Sequence, residues 1–266
     1  MYLPRTDEQR LLADSVTRRL SQGRVPDGRE MATLGWIAAA FSEAEGGLGG
    51  RAADIAPICE AIGLAVADLP YVEQVLWPAA QWRAAGAGPE HAARMAALLA
   101  GELGQIVISR REPGAAPDGM ADFATAGALA ESIGLMESLL TAARAWLGTR
   151  RQFGRPLAAN QVLQHRLADM FIALEESRSM LNLALFVCDA PASAERRPAL
   201  HAAKAHIAHC ARAVGQQAVH LHGAMGLTEE LPVGRAYRRI EQLNAMFGNA
   251  DHHTWAYAHT APEKPA

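Results

Sequence analysis

Apolar residues recur at three- and four-residue intervals along most of the chain, the spacing that lines one face of an α-helix. Residues 7–20 carry Leu11, Leu12, Val16 and Leu20 in that phase. After a Gly/Pro-containing break at 23–28, a second, short helix is predicted over 31–40. Residues 41–50, FSEAEGGLGG, hold too much glycine to continue it and read as a loop. Residues 54–67 place Ile55, Ile58, Ile62 and Val66 on one side of a further helix. Two more are predicted at 71–85 and 89–99, parted by Gly86-Ala87-Gly88. The pattern then breaks. Gln105-Ile106-Val107-Ile108-Ser109 is the one β-like run, a Pro/Gly-containing linker fills 110–119, and a lone strand cannot form a stable sheet.

Helical phase returns in longer segments. Residues 120–148 hold Ile133, Leu135, Met136, Leu139, Leu140 and Trp146. With Asn160 as cap, a helix to about 189 puts Val162, Leu163, Leu167, Met170, Leu174 and Leu181 toward a core. A polar linker at 191–198 leads to a third helix over 199–221. A turn over 222–232 follows, and Pro232 opens a helix carrying Arg235, Tyr237, Arg238 and Arg239. A last short helix starts near 250, and the tail from 260 is expected to fray. The predicted class is all-α: an N-terminal helical domain over 1–104, a strand remnant and linker over 105–119, and a C-terminal four-helix bundle over 120–260.

Half of the 266 residues are hydrophobic and the formal net charge is −3. That supplies a sizeable core and excludes the global basic field of a nucleic-acid binder. No apolar run is long enough to span a bilayer and no signal-peptide core is visible, so a cytoplasmic protein is expected. Cys59, Cys188 and Cys210 are isolated in apolar helical surroundings and read as buried thiols, not as a disulfide or zinc framework.

Candidate chemistry gathers at residues 150–157, RRQFGRPL, between the two long helices. Its arginines match phosphate oxygens in fork geometry, and the same residues equally suit a solvated basic turn at a helix C-terminus. The glycine cluster at 43–50 lacks the Lys-Ser/Thr of a phosphate loop and follows no strand, so it reads as a structural turn. His201, His206 and His209 share one helix, but no Cys or carboxylate pattern completes a tetrahedral set with them, and no metal site is predicted. His252-His253 point in different directions on their helix. Glu175, Glu176 and Arg178 read as a surface ion-pair cluster. Arg238-Arg239 read as a solvated basic face or a phosphate contact.

Two blocks of residues resemble the carboxy-terminal domain of acyl-CoA dehydrogenases. The first is Arg150-x-Gln152-Phe153-Gly154-x-Pro156 followed by Asn160-Gln161-Val162-Leu163-Gln164-His165-Arg166-Leu167-Ala168-Asp169-Met170. The second is His220-Leu221-His222-Gly223-Ala224-Met225-Gly226-Leu227-Thr228-Glu229-Glu230-Leu231-Pro232-Val233, then Tyr237-Arg238-Arg239. Their order and separation fit the family. The first half is similar, more distantly, to the family's N-terminal helical domain, while its middle β-domain has no counterpart here.

The resemblance implies FAD contacts made across a subunit interface by Arg150, Gln152, Phe153 and Gln161, with His220, Gly223 and Ala224 at the adenine end. His220 and Ala224 depart from the family's usual Gln and Gly there. It also implies where a catalytic carboxylate would stand. Those positions hold Phe247 and Ala124, which cannot accept a proton, and the nearby Asp122 and Asp251 sit more easily as helix-start residues. The implied function is a non-catalytic subunit of an FAD-dependent acyl-CoA dehydrogenase. It would complete the FAD site of a full-length partner in an α2β2 heterotetramer, the acyl-CoA being bound mainly by that partner. Such heteromers resemble those that degrade steroid and other bulky acyl-CoA thioesters. The alternative is a non-enzymatic dimerisation or scaffold protein that binds no flavin.

Overall fold

The structure is a computed structural model and describes residues 5–85, 89–103, 121–152, 154–191, 195–228 and 231–260. The β-like run at 105–109 and the linker after it lie outside these residues. So does Phe153.

Ten α-helices account for most of the described chain. They are α1 (Asp7–Leu20), α2 (Gly28–Thr33), α3 (Ala52–Leu64), α4 (Trp77–Ala85), α5 (Pro89–Leu99), α6 (Asp122–Thr149), α7 (Gln161–Asp189), α8 (Arg196–His222), α9 (Pro232–Ala245) and α10 (Ala250–Thr260). The only strands among the described residues are two-residue β1 (Arg151–Gln152) and β2 (Arg155–Pro156), paired antiparallel with Arg151 opposite Pro156. The fold is thus the all-α one expected, without a β-domain.

Local chemistry sets the helix ends. Thr6 and Gln9 form a reciprocal capping box at the start of α1, and Asp27 caps α2. The helix predicted over 31–40 is interrupted. Trp36 N–H bonds back to Met31 O around Gly35, whose φ of 77° ends α2, and a short 3-10 turn (Ala38–Ala40) follows. The helix predicted to reach residue 67 stops at Leu64, where Val66 turns left-handed at φ 49°. Within 71–85, residues Val72–Leu76 form a wider π turn before α4. Pro78 has no N–H to offer Gln74 O, and the ladder widens just ahead of it.

One apolar cluster runs from Val16 and Trp36 through α3 and α6 to Ile240 and Leu243. At its centre lies α6, whose residues 124–136 are all buried. A helix covered on every side reads as apolar all round, which fits its alanine-rich sequence. Leu163, Leu167, Met170, Leu174 and Leu181 pack inward from α7 as expected. Val162 does not: it is 62% exposed, being one residue, or about 100°, out of phase with that stripe.

Helices α3 and α6 meet at backbone distance. A Cβ at Gly63 would stand 2.1 Å from Glu131 O, and one at Gly134 would stand 2.0 Å from Glu60 O. Gly134→Ala is therefore expected to cost about 1–3 kcal/mol through overpacking, despite alanine's better helix propensity. Gly148→Ala, on the same helix but facing open space, should instead be neutral or stabilising by up to about 1 kcal/mol. Urea unfolding of the pair checks the opposed signs.

The glycine-rich turn at 41–50 is built as structure. Ser42 and Glu45 cap a 3-10 turn (Glu43–Glu45), and Arg83 grips the Glu45 carboxylate at 3.1 Å and Ala40 O at 2.5 Å. These bonds overcome burial and hold the Glu45 carboxyl at about 2. Just after this turn, Asp189 of α7 accepts from Ala52 N at 2.6 Å and Ala53 N at 3.0 Å. It thereby caps α3 from across the fold.

Candidate functional site

The corner after α6 is shaped by its own backbone. Arg150 N donates to Trp146 O, Leu157 N donates to Arg150 O, and the two strands between them project as a small hairpin. Gly154 forms its tip at φ 81°, with nothing within 4 Å of where a Cβ would stand. Two of the three arginines are tied locally. Arg151 Nη2 donates to Gly154 O at 3.1 Å, and Arg155 Nη2 to Asn160 Oδ1 at 2.8 Å. Asn160 holds the N-cap position of α7, but its amide turns back to donate to Leu157 O at 3.1 Å instead of capping the helix.

Arg150 behaves differently. Among the described residues its side chain makes no hydrogen bond. Its guanidinium carbon lies 5.9 Å from the centroid of the Trp146 ring, within cation–π range. Trp146 in turn stacks on His222 with centroids 5.3 Å apart. His222 is buried and donates from Nδ1 to Ala218 O at 2.7 Å, which fixes its ring. The stack Arg150–Trp146–His222 therefore joins the end of α6 to the end of α8, and with it the two sequence blocks. Gly223, next to His222, takes φ 63° and faces open space. Arg150, Gln152, Gln161, His220, Gly223 and Ala224 are all exposed. Arg166 Nη1 to Gln217 Oε1, at 3.3 Å, holds α7 and α8 together beside them.

The positions expected to hold a catalytic carboxylate are filled with apolar side chains. Ala124 is fully buried. Phe247, at φ 58°, lies against Trp77 of α4 with centroids 5.1 Å apart. Its carbonyl accepts from His253 Nε2 at 3.0 Å, so His253 Nδ1 is an acceptor for His201 Nδ1–H at 2.8 Å. Burial pushes His253 down to about 3, which keeps it neutral. The two histidines expected to point apart, His252 and His253, in fact touch edge to face at 5.1 Å. Asp122 starts α6 and is bound by Arg196 Nε at 3.1 Å, while Asp251 is exposed in the first turn of α10.

Arg239 departs from the reading of a basic face. Its guanidinium is enclosed between Glu131 of α6 and Glu73 of the π turn, at 2.5–3.0 Å over four bonds. Arg178 links Glu175 on its own helix to Glu137 of α6, both at 2.6 Å, so the expected surface cluster also bridges helices. His206, expected to lack Cys and carboxylate partners, has Cys210 one turn on at 3.4 Å and Glu176 of α7 at 3.5 Å. The cysteines are free thiols, but only Cys59 is buried as expected; Cys188 of α7 and Cys210 of α8 are half-buried. No helix among the described residues is long and apolar enough to cross a membrane.

A helical bundle carrying a basic hairpin, with the Gly223 turn next to the Trp146–His222 stack that supports Arg150, defines the class. The chain belongs to the acyl-CoA dehydrogenase family, whose C-terminal domain matches residues 120–259. It is 32% identical over 124 residues to the mitochondrial short-chain specific acyl-CoA dehydrogenase of Homo sapiens, covering 46% of this chain and 30% of that one. It is 36% identical over 127 residues to 3-sulfinopropanoyl-CoA desulfinase of Paraburkholderia xenovorans, covering 47% and 31%. With acyl-CoA dehydrogenase IpdE2 of Mycobacterium tuberculosis it shares 29% over 137 residues, covering 52% and 41%. The match spans well under half the length of each of these relatives.

Solved structures are similar in fold over nearly the whole chain. One is the ChsE4-ChsE5 complex from Mycobacterium tuberculosis, with a TM-score of 0.81 at 18% identity and 100% of both chains covered. Another is a Tcur3481-Tcur3483 steroid ACAD variant, at 0.76 and 19% with 95% of both covered.

Sequence reasoning singled out the exposed residues of this corner and passed over the side chains behind them. Trp146 is legible only as a core residue, Trp77 has no motif around it, and His222 hides inside a block read for its glycine. An aromatic one turn before Arg150 is the signal that could have suggested a platform.

Proposed function

We propose that this chain is a non-catalytic subunit of a heteromeric acyl-CoA dehydrogenase and completes the FAD site of a full-length partner. The observation that carries the reading is the outward presentation of Arg150 on the Trp146–His222 stack beside the open turn at Gly223. Exposed donors on a projecting hairpin suit a phosphate-bearing group held mainly by another subunit. The residues fit that group. Arg150 and Gln152 would supply donors for the pyrophosphate and Gln161 a further amide. Gly154 and Gly223 leave open the space a Cβ would fill, and His220 and Ala224 flank the adenine end. When bound, FAD supplies the hydride acceptor for α,β-dehydrogenation of an acyl-CoA thioester.

Proton abstraction has to come from elsewhere. Phe247 and Ala124 leave no carboxylate at either expected position, and Asp122 is committed to Arg196. The partner would therefore contribute the base, the β-domain and most of the acyl-CoA cleft, within an α2β2 assembly in the cytoplasm. Fold likeness to complexes titled ChsE4-ChsE5 and steroid ACAD favours a partner of the same family and a bulky acyl group.

The test is co-expression with a full-length family member. The complex is expected to purify yellow and to oxidise thioester, while the lone chain does neither. Arg150→Ala should remove one charge-assisted contact of about 1.5–3 kcal/mol, weakening FAD retention in the complex roughly 10- to 100-fold. Flavin absorbance per protein after gel filtration reads this directly. Stoichiometric FAD and turnover in the lone chain would refute the reading, and a stable but colourless complex would favour the scaffold alternative.

A further inference from the structure

Away from the flavin-facing corner, on the outer surface where α7 meets α8, three side chains converge that no role above uses. They are Glu176 of α7 with His206 and Cys210 of α8. One carboxylate oxygen, one imidazole nitrogen and the thiol sulfur all lie within 4.8 Å of one another. We propose that they form a binding site for a divalent transition cation, with zinc the best fit.

The distances support a common centre. His206 Nε2 is 3.4 Å from Cys210 Sγ and 3.5 Å from Glu176 Oε2. A tetrahedral zinc with nitrogen at about 2.0–2.1 Å and sulfur at about 2.3 Å sets those two atoms roughly 3.5 Å apart. It sets a nitrogen and an oxygen ligand roughly 3.3 Å apart. The observed separations are thus near the edges of a coordination tetrahedron before any ion enters.

Helix geometry supplies the pre-arrangement. His206 and Cys210 are one turn apart, the i,i+4 spacing that places two ligands on one helix face. The α7–α8 packing brings Glu176 across to them from its own helix.

A cation at the centre would meet one lone pair from each of the three at once, and Ser177 stands beside the Cys210 sulfur as a hydrogen-bond partner that supports it.

The donor set also selects the metal class. Nitrogen, oxygen and sulfur together suit zinc and its neighbours in the transition series and exclude magnesium and calcium, which take oxygen. On binding, the Cys210 S–H bond breaks, a sulfur–metal bond forms and the proton leaves to solvent. Glu176 is exposed and the other two are half-buried, so the fourth position opens to water.

The experiment titrates the purified full chain, treated with a chelator and then freed of it, with cobalt(II), whose thiolate complexes absorb in the near ultraviolet. One equivalent is expected to bind with a thiolate-to-cobalt charge-transfer band, which zinc then displaces. Cys210→Ser should abolish the band, and Cys188→Ser should keep it. His206→Ala and Glu176→Gln should each weaken binding by at least about 10- to 100-fold, the loss known for changes to residues that merely support metal ligands. Circular dichroism of each variant verifies that it is folded. Added zinc should raise the melting temperature of the wild type and leave that of Cys210→Ser unchanged. A band that survives in Cys210→Ser, or cobalt binding equally tight in wild type and Cys210→Ser, would overturn the proposal.

Discussion

Replacing Arg239 by methionine is expected to lower the unfolding free energy by about 3–5 kcal/mol at neutral pH. The guanidinium donates to both oxygens of Glu131 and both of Glu73, and Glu131 is 1% exposed. Burial already pushes the Glu131 carboxyl upward, against the pull of Arg239. Without the cation, two carboxylates share a dry space and the folded state holds protons more tightly than the unfolded one. A carboxyl raised in this way costs stability as pH climbs above its unfolded value. The variant should therefore recover part of its loss on acidification from pH 7 to about 5, the reverse of the usual acid sensitivity. Adding Glu131→Gln should restore part of the loss at neutral pH. Urea titrations at the two pH values measure both effects, and a loss below about 1 kcal/mol would show that the network contributes little.

The second large effect has the opposite sign. Lys204 is 1% exposed, donates to Leu243 O at 2.7 Å, and is lowered by burial to about 7. The unfolded lysine keeps its proton to about 10.4, so the unfolded state binds more protons between these values and stability rises with pH there. Below pH 7 the folded chain carries a buried ammonium, whose cost on the order of 4–5 kcal/mol is then fully present. Lys204→Met removes that cost and leaves the Leu243 carbonyl short of a donor, at about 1–3 kcal/mol. The variant is expected to be about 2–3 kcal/mol more stable at pH 6, with the advantage shrinking toward pH 10. Thermal unfolding of both proteins across that range checks it. A variant less stable at pH 6, or an advantage that does not shrink, would show that the ammonium is compensated.

The helical periodicity was enough to place most elements. Helix α1 was expected and found over the same residues, because its apolar phase and capping box are both local. Breaks that depend on one residue's backbone were harder. Gly35 and Val66 each end a helix in the left-handed region, and neither interrupts the apolar pattern that announces the helix. The inward stripe of α7 was read correctly from 163 onward. Val162 was misplaced because an apolar side chain in the first turn says nothing about phase.

In the candidate site, the exposed residues were legible because their types are the message: arginines, amides and glycines in a fixed order. Their supports were not, since Trp146 and His222 are 76 residues apart in sequence and meet only once α6 and α8 are packed. Arg239 was misread for the same reason. An arginine in a basic run looks solvated until the two carboxylates that enclose it arrive from Glu73 and Glu131. In the trio at Glu176, the His206–Cys210 pair stands at i,i+4 in the sequence and was passed over, while Glu176 joins it only once α7 packs on α8.

The contact between Phe247 and Trp77 has a historical consequence. If this chain descends from one that carried a carboxylate at Phe247, the route back is blocked at several points together. A carboxylate placed there would face an indole in place of water, on a residue whose left-handed backbone is fixed by a carbonyl bond to His253. A carboxylate at Phe247 would forfeit the packing against Trp77, so on the proposed reading as a partner subunit the loss of the base would be hard to reverse by one substitution.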